Sequence, residues 1–86
     1  MNKILIIFKS KNSLMAFSKI LRNNRLNVSI INTPHSIMTS CSQSILTDYK
    51  NYNLVLILLE QANLPGFLGI YQFANYTGAD MINRIF

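Results

Sequence analysis

The sequence predicts an α+β fold, a four-stranded antiparallel sheet with two helices on one face. Three observations carry that prediction. An isoleucine-rich apolar run stands near the amino end, two longer stretches have helical spacing or a helical terminator, and three further short segments have strand character, in the order βαββαβ. Length sets the scale, because 86 residues leave room for one hydrophobic core. Half the residues are apolar, 13% are charged, and only three are glycine and two proline, which is the composition of a folding chain.

Ile4 to Phe8 is apolar throughout and bounded by Lys3 and Lys9, as suits a central strand covered on both faces. Ser10 then stands at a helix N-cap position, and Leu14, Phe17, Ile20 and Leu21 follow at helical spacing, so a helix is expected from about Lys11 to Asn24. Lys19, Arg22 and Arg25 gather near its end, where cations complement the helix dipole, and Asn23-Asn24 is expected to supply the left-handed residue that ends it. Asn27 to Asn32 alternates polar and apolar residues and reads as a second strand, stopped by Pro34. Ser44 to Tyr49 reads as a third.

Asn51 to Asn63 contains six consecutive apolar residues, a run in which periodicity alone cannot separate a buried strand from a buried helix. Thirteen residues followed by Pro65-Gly66 favour a helix. Gly66 to Phe73 is then a fourth strand. With right-handed crossovers this order gives the ferredoxin-like split βαβ arrangement over residues 1–75. Residues 76–86 are left as an extension, in which Met81, Ile82, Ile85 and Phe86 could form the apolar side of a short helix covering a sheet edge or meeting a second chain.

Several function classes fall away. The longest apolar run, Leu54 to Leu59, is far short of the roughly 20 residues that span a bilayer, and no small-residue cleavage site follows Ile4 to Phe8. A cytoplasmic protein without a membrane partner is expected. One cysteine and one histidine cannot form an intrachain disulfide or a zinc site. The net charge of +5 reflects scarce acids, Asp48, Glu60 and Asp80, as much as abundant bases, and neither Ile4 to Phe8 nor Ser44 to Tyr49 carries the paired aromatics on which RNA bases stack. Nucleic acid is therefore not the expected partner. The three acids are scattered, and no glycine-rich phosphate loop is present, so neither an enzyme active site nor a bound cofactor is expected.

What remains is Cys41, the only soft nucleophile in the chain. It lies in a hydroxyl-rich stretch with Thr33, Ser36, Thr39, Ser40, Ser42 and Ser44, without a nearby acid, and His35 is close enough in sequence to pair with a thiolate or take its proton. Lone cysteines are, however, commonly buried and inert. The alternative is thus a non-enzymatic interaction module with a structural cysteine. Six successive apolar residues on a helix cannot all face one sheet, so self-association as a homodimer is also expected.

The stretch Asn27-Val28-Ser29-Ile30-Ile31-Asn32-Thr33-Pro34-His35-Ser36-Ile37-Met38-Thr39-Ser40-Cys41 resembles the putative selenium/sulfur carrier protein-like family, small bacterial domains of unknown function. In that family a strand runs into a Thr-Pro-Arg-Ser-Ile-Ser-Ser-Ser-Cys-Gly-type stretch. Phe8-Lys9-Ser10 and Gly69-Ile70-Tyr71 fit as well, so the resemblance covers about residues 3 to 74. It implies that Cys41 carries a persulfide or perselenide from a chalcogen-donor enzyme to an acceptor protein. Thr33, Pro34 and Ser36 would shape the loop, with His35, Ser40 and Ser42 beside the thiol. Two departures stand out. His35 replaces the family's arginine, making charge assistance dependent on pH, and Ser42 replaces a glycine, limiting close backbone approach to an anion.

Overall fold

The structure, a computed structural model, describes residues 2–34, 43–76 and 79–86, and the side chains of all of these except 73–83. Its elements are β1 (Asn2–Phe8), α1 (Lys11–Asn23), β2 (Val28–Asn32), β3 (Gln43–Asp48), a 3-10 turn (Tyr49–Asn51), α2 (Tyr52–Ala62), β4 (Phe67–Tyr76) and β5 (Ala79–Arg84). All strand pairs are antiparallel, in the order β2-β3-β1-β4-β5. The expected four-stranded ferredoxin-like arrangement is present, with one strand added at the β4 edge.

The uniform apolarity of β1 has its reason in this order. Ile4, Leu5, Ile6 and Ile7 have no exposed surface and Phe8 has 3%. Because side chains alternate along a strand, Ile4, Ile6 and Phe8 point to one face, where they pack with Leu14, Phe17 and Leu21 of α1 and Val55 and Leu58 of α2. Both helices therefore cover that face. Leu5 and Ile7 point to the other face and are buried there, Leu5 lying between Leu46 of β3 and Tyr71 of β4.

Helix α1 begins where the N-cap reading places it. Ser10 is extended (φ −90°, ψ 126°), and its hydroxyl accepts from the Ser13 backbone N–H at 3.3 Å. The end differs from expectation by one residue. Asn24 stays at φ −93°, and the left-handed conformation falls on Arg25 (φ 65°). The reason is apolar. Arg25 N–H bonds the Arg22 carbonyl and Leu26 N–H bonds the Leu21 carbonyl, a Schellman closure that returns Leu26 to the core. Helix α2 confirms the helical reading of the apolar run, and left-handed Asn63 (φ 48°) ends it before Pro65.

The short terminal helix expected within residues 76–86 is not formed. Ala79–Arg84 is instead a strand paired with β4, from Tyr76↔Ala79 to Tyr71↔Arg84. Weak helical periodicity gives way here to an edge of β4 that would otherwise leave backbone groups unpaired. Beyond β5 the chain is fastened by Ile85 and Phe86 N–H groups on the Ile70 carbonyl and by Arg84, which donates to the Leu68 and Phe86 carbonyl oxygens.

At the end of the sheet where β1 begins, Lys3 Nζ lies 2.6 Å from Asp48 Oδ1 across the paired strands. That hydrogen bond is the main reason the Asp48 carboxyl titrates below the ordinary carboxylate range; partial desolvation opposes it, and the charges of Lys3 and Lys50 add to it. A depressed folded-state value means the pair stabilises above the unfolded carboxylate pKa and is lost as pH falls through the folded one. Asp48→Asn should therefore lower the urea midpoint at pH 7, and the difference from wild type should vanish in the acid range below pH 4 or so.

Candidate functional site

Two described strand ends frame the segment that carries Cys41. Asn32 of β2 pairs with Gln43 of β3, and immediately beyond them Thr33 Oγ1 and Ser44 Oγ share a hydrogen bond at 2.5 Å. Both residues are buried, Thr33 at 5% exposure and Ser44 at 0%. A buried hydroxyl without a partner is costly, so this pair holds the two chain ends side by side. Pro34 is half-buried next to it. His35, Ser36, Ser40, Cys41 and Ser42 lie outside the described residues.

Antiparallel pairing determines what shares that end of the sheet. Ile6 faces Ile45, Ile31 faces Ser44 and Phe8 faces Phe67, so β1 and β2 finish where β3 and β4 start. From Phe8 the chain passes through Lys9 and Ser10 directly into α1, and Lys9 N–H is bonded to the Gly66 carbonyl at 2.6 Å. Gly66 is at φ 80°, and a Cβ there would come 3.2 Å from the Ser10 backbone nitrogen, which favours glycine at this tight crossing. The amino end of α1 thus stands at the same end of the sheet as the segment carrying Cys41.

Two exposed lysines stand at this end, close to the start of α1. The first turn of α1 has no acidic residue, Lys9 and Lys11 are exposed, and the unpaired N–H groups and dipole of the helix add to their field. Asp48 is five residues further along β3 from Gln43, about 17 Å away at strand spacing, and is neutralised by Lys3. Glu60 is on α2. Among the described residues no three His, Cys, Asp or Glu side chains come together as a metal site, and no helix is long and apolar enough to cross a membrane.

The sequence does not relate Lys9 or Lys11 to the Thr33 and Ser44 pair. Lys9 and Lys11 read as flanks of a strand and a helix, and only the strand register brings them to the Cys41 end. Ser44 had the one available signal, since it belongs to the same hydroxyl-rich stretch as Thr33.

The family described as Putative Se/S carrier protein-like matches residues 3–72 of the chain. The chain belongs to that family. The match takes in β1 through the first part of β4 and includes the whole stretch between Thr33 and Ser44, while the family's extent stops short of β5. No curated protein and no solved structure matches. Within the Se/S carrier-like frame, the Thr33 and Ser44 pair is the structural clamp at the base of the cysteine segment.

Removing one hydroxyl of that clamp leaves the other buried and unpaired. Thr33→Val and Ser44→Ala should each cost about 1–3 kcal/mol in urea unfolding, and the double variant should lose clearly less than the sum of the two. Additive losses in the cycle would show that the two hydroxyls do not depend on each other.

Proposed function

We propose that this protein is a selenium/sulfur carrier in which Cys41 transiently holds a persulfide or perselenide and passes it to a partner protein. The observation that supports this most is the strand register, in which Thr33 and Gln43, the described residues on either side of the Cys41 segment, stand at the same end of the sheet as the start of α1 with the exposed Lys9 and Lys11. Membership of the Se/S carrier-like family supports the same reading. A thiolate is the attacking species, and a persulfide is more acidic than a thiol, so both the empty and the loaded carrier are anions served by Lys9, Lys11 and the helix end.

The transfer balances without an external oxidant. The Cys41 thiolate attacks the outer sulfur of a donor enzyme's persulfide, a new S–S bond forms on Cys41, and the donor's thiolate leaves. Delivery is the reverse chemistry, in which an acceptor nucleophile takes the outer sulfur or selenium and Cys41 departs as thiolate. Charge, not a cofactor, is what the protein supplies. Thr33, Pro34 and Ser36 shape the loop, and Ser40 and Ser42 offer hydroxyl and backbone donors to the outer chalcogen. His35 adds a positive charge only when protonated, so any assistance from it depends on pH. The carrier works in the cytoplasm, where thiols stay reduced.

Incubation with a cysteine desulfurase and cysteine, followed by intact-mass measurement, should show wild-type chain gaining sulfur atoms that a reductant removes. Cys41→Ser should gain none. Reversing the charge of the exposed Lys9 and Lys11 to glutamate should slow loading by about two- to five-fold for each helix-end charge. A wild-type chain that stays unmodified would sink the proposal.

A further inference from the structure

Arg84 does more than fasten β5 to β4. Side chains alternate along a strand, so the register sorts the described strand residues between the helix-covered face of the sheet and the open one. Ile6, Ile45 and Ile70 pack with the helices, and their chain neighbours Ile7, Ser44 and Gly69 are therefore on the open face. Arg84 joins them there, because it pairs with Tyr71, which in turn pairs with Leu5. The Thr33 hydroxyl, bonded to that of Ser44, is on the same face.

Gly69 determines where the guanidinium lies. A Cβ at Gly69 would come 3.2 Å from Arg84 Nε and 3.4 Å from its Cζ, so the guanidinium occupies the space over that glycine. Two of the group's five N–H donors are used, Nε on the Phe86 carbonyl oxygen at 3.2 Å and Nη2 on that of Leu68 at 3.1 Å. These bonds fix the fork, and its other donors have no partner among the described residues. Arg84 is exposed, which leaves those donors open to a ligand. Gly69 pairs with Ile7 of the central strand, and Ser44 is on the strand beyond it. Gly69 and Ser44 are thus two strand spacings, about 10 Å, apart at the end of the sheet where β1 finishes. Among the described residues of the strands, the other charged side chains on this face are Lys3 and Asp48, and they are paired with each other.

We propose that Arg84 is an anion-binding residue of the carrier site, its guanidinium pairing with the Cys41 thiolate and with the persulfide or perselenide anion that replaces it. The inference rests on the carrier reading. Thr33 and Gln43, the described residues on either side of the Cys41 segment, stand at the same end of the sheet as Gly69, and Thr33 is on the guanidinium's own face. Arginine suits this role because it stays charged at every working pH, and a fork already held by two carbonyl oxygens loses little freedom when an anion is added. Lys9 and Lys11 stand at the start of α1, whereas Arg84 comes from β5, outside residues 3–72 of the family match.

The pH dependence of Cys41 alkylation by iodoacetamide, measured on the full chain, tests the inference. Arg84→Gln should raise the midpoint above that of wild type by about 0.5–1 pH unit, with the urea midpoint followed alongside as a check of folding. Arg84→Met keeps the aliphatic stem over Gly69, should act in the same way, and serves where glutamine disturbs the strand edge. Arg84→Lys should recover at least about half of the difference, because it keeps the charge without the fork. A role confined to strapping the end of β5 would change the urea midpoint and leave the thiol midpoint in place. Sulfur loading by a cysteine desulfurase is read separately by intact mass. A wild-type chain that takes up no sulfur ends the carrier reading, whereas the pairing of Arg84 with the thiolate is decided by the alkylation midpoints alone. An unchanged thiol midpoint in a folded neutral variant, or an Arg84→Lys chain shifted as far as Arg84→Gln, would overturn the inference.

Discussion

The rest of the structure depends on the burial of β1 from both sides. Five successive side chains, Ile4 to Phe8, are removed from water, three against the helices and two on the opposite face. At about 1.5–3 kcal/mol for each large apolar side chain, this one strand supplies an energy on the scale of the whole stability of a small domain. A polar residue anywhere in the run would face one buried layer or the other. β1 is thereby confined to the middle of the sheet, with β3 on one side and β4 on the other.

That placement has consequences for chemistry. Once β1 is central and its neighbours antiparallel, its last residue, the last of β2 and the first of β3 must meet at one end of the sheet. The helix that follows β1 begins there, and so does the segment that carries Cys41. A stability constraint on one strand thus places a helix amino end beside the ends of the cysteine segment. Lys3 and Asp48 neutralise each other at the far end, and Lys9 and Lys11 stand exposed at the near one.

Much of the fold was legible because local and global preferences agree. The run of β1, the Ser10 cap, the apolar spacing of α1 and the Pro65 stop after α2 each state locally what the tertiary structure requires. Disagreement occurs where distant contacts decide. Arg25, not an asparagine, takes the left-handed turn because Leu26 must return to the core, and residues 79–84 form a strand because the edge of β4 is there to pair with. Cys41 could be found by elimination and by family likeness. That the start of α1, with Lys9 and Lys11, stands at the same end of the sheet as Thr33 and Gln43 could not, because only the strand register relates them.

The pKa of the Cys41 thiol, measured by the pH dependence of its alkylation rate, tests the carrier role most directly. A carrier thiolate at the amino end of α1 should show a midpoint well below the free-thiol value of about 8.5, rising toward it in Lys9→Ala/Lys11→Ala. A midpoint at or above that value in the wild-type chain would contradict the role.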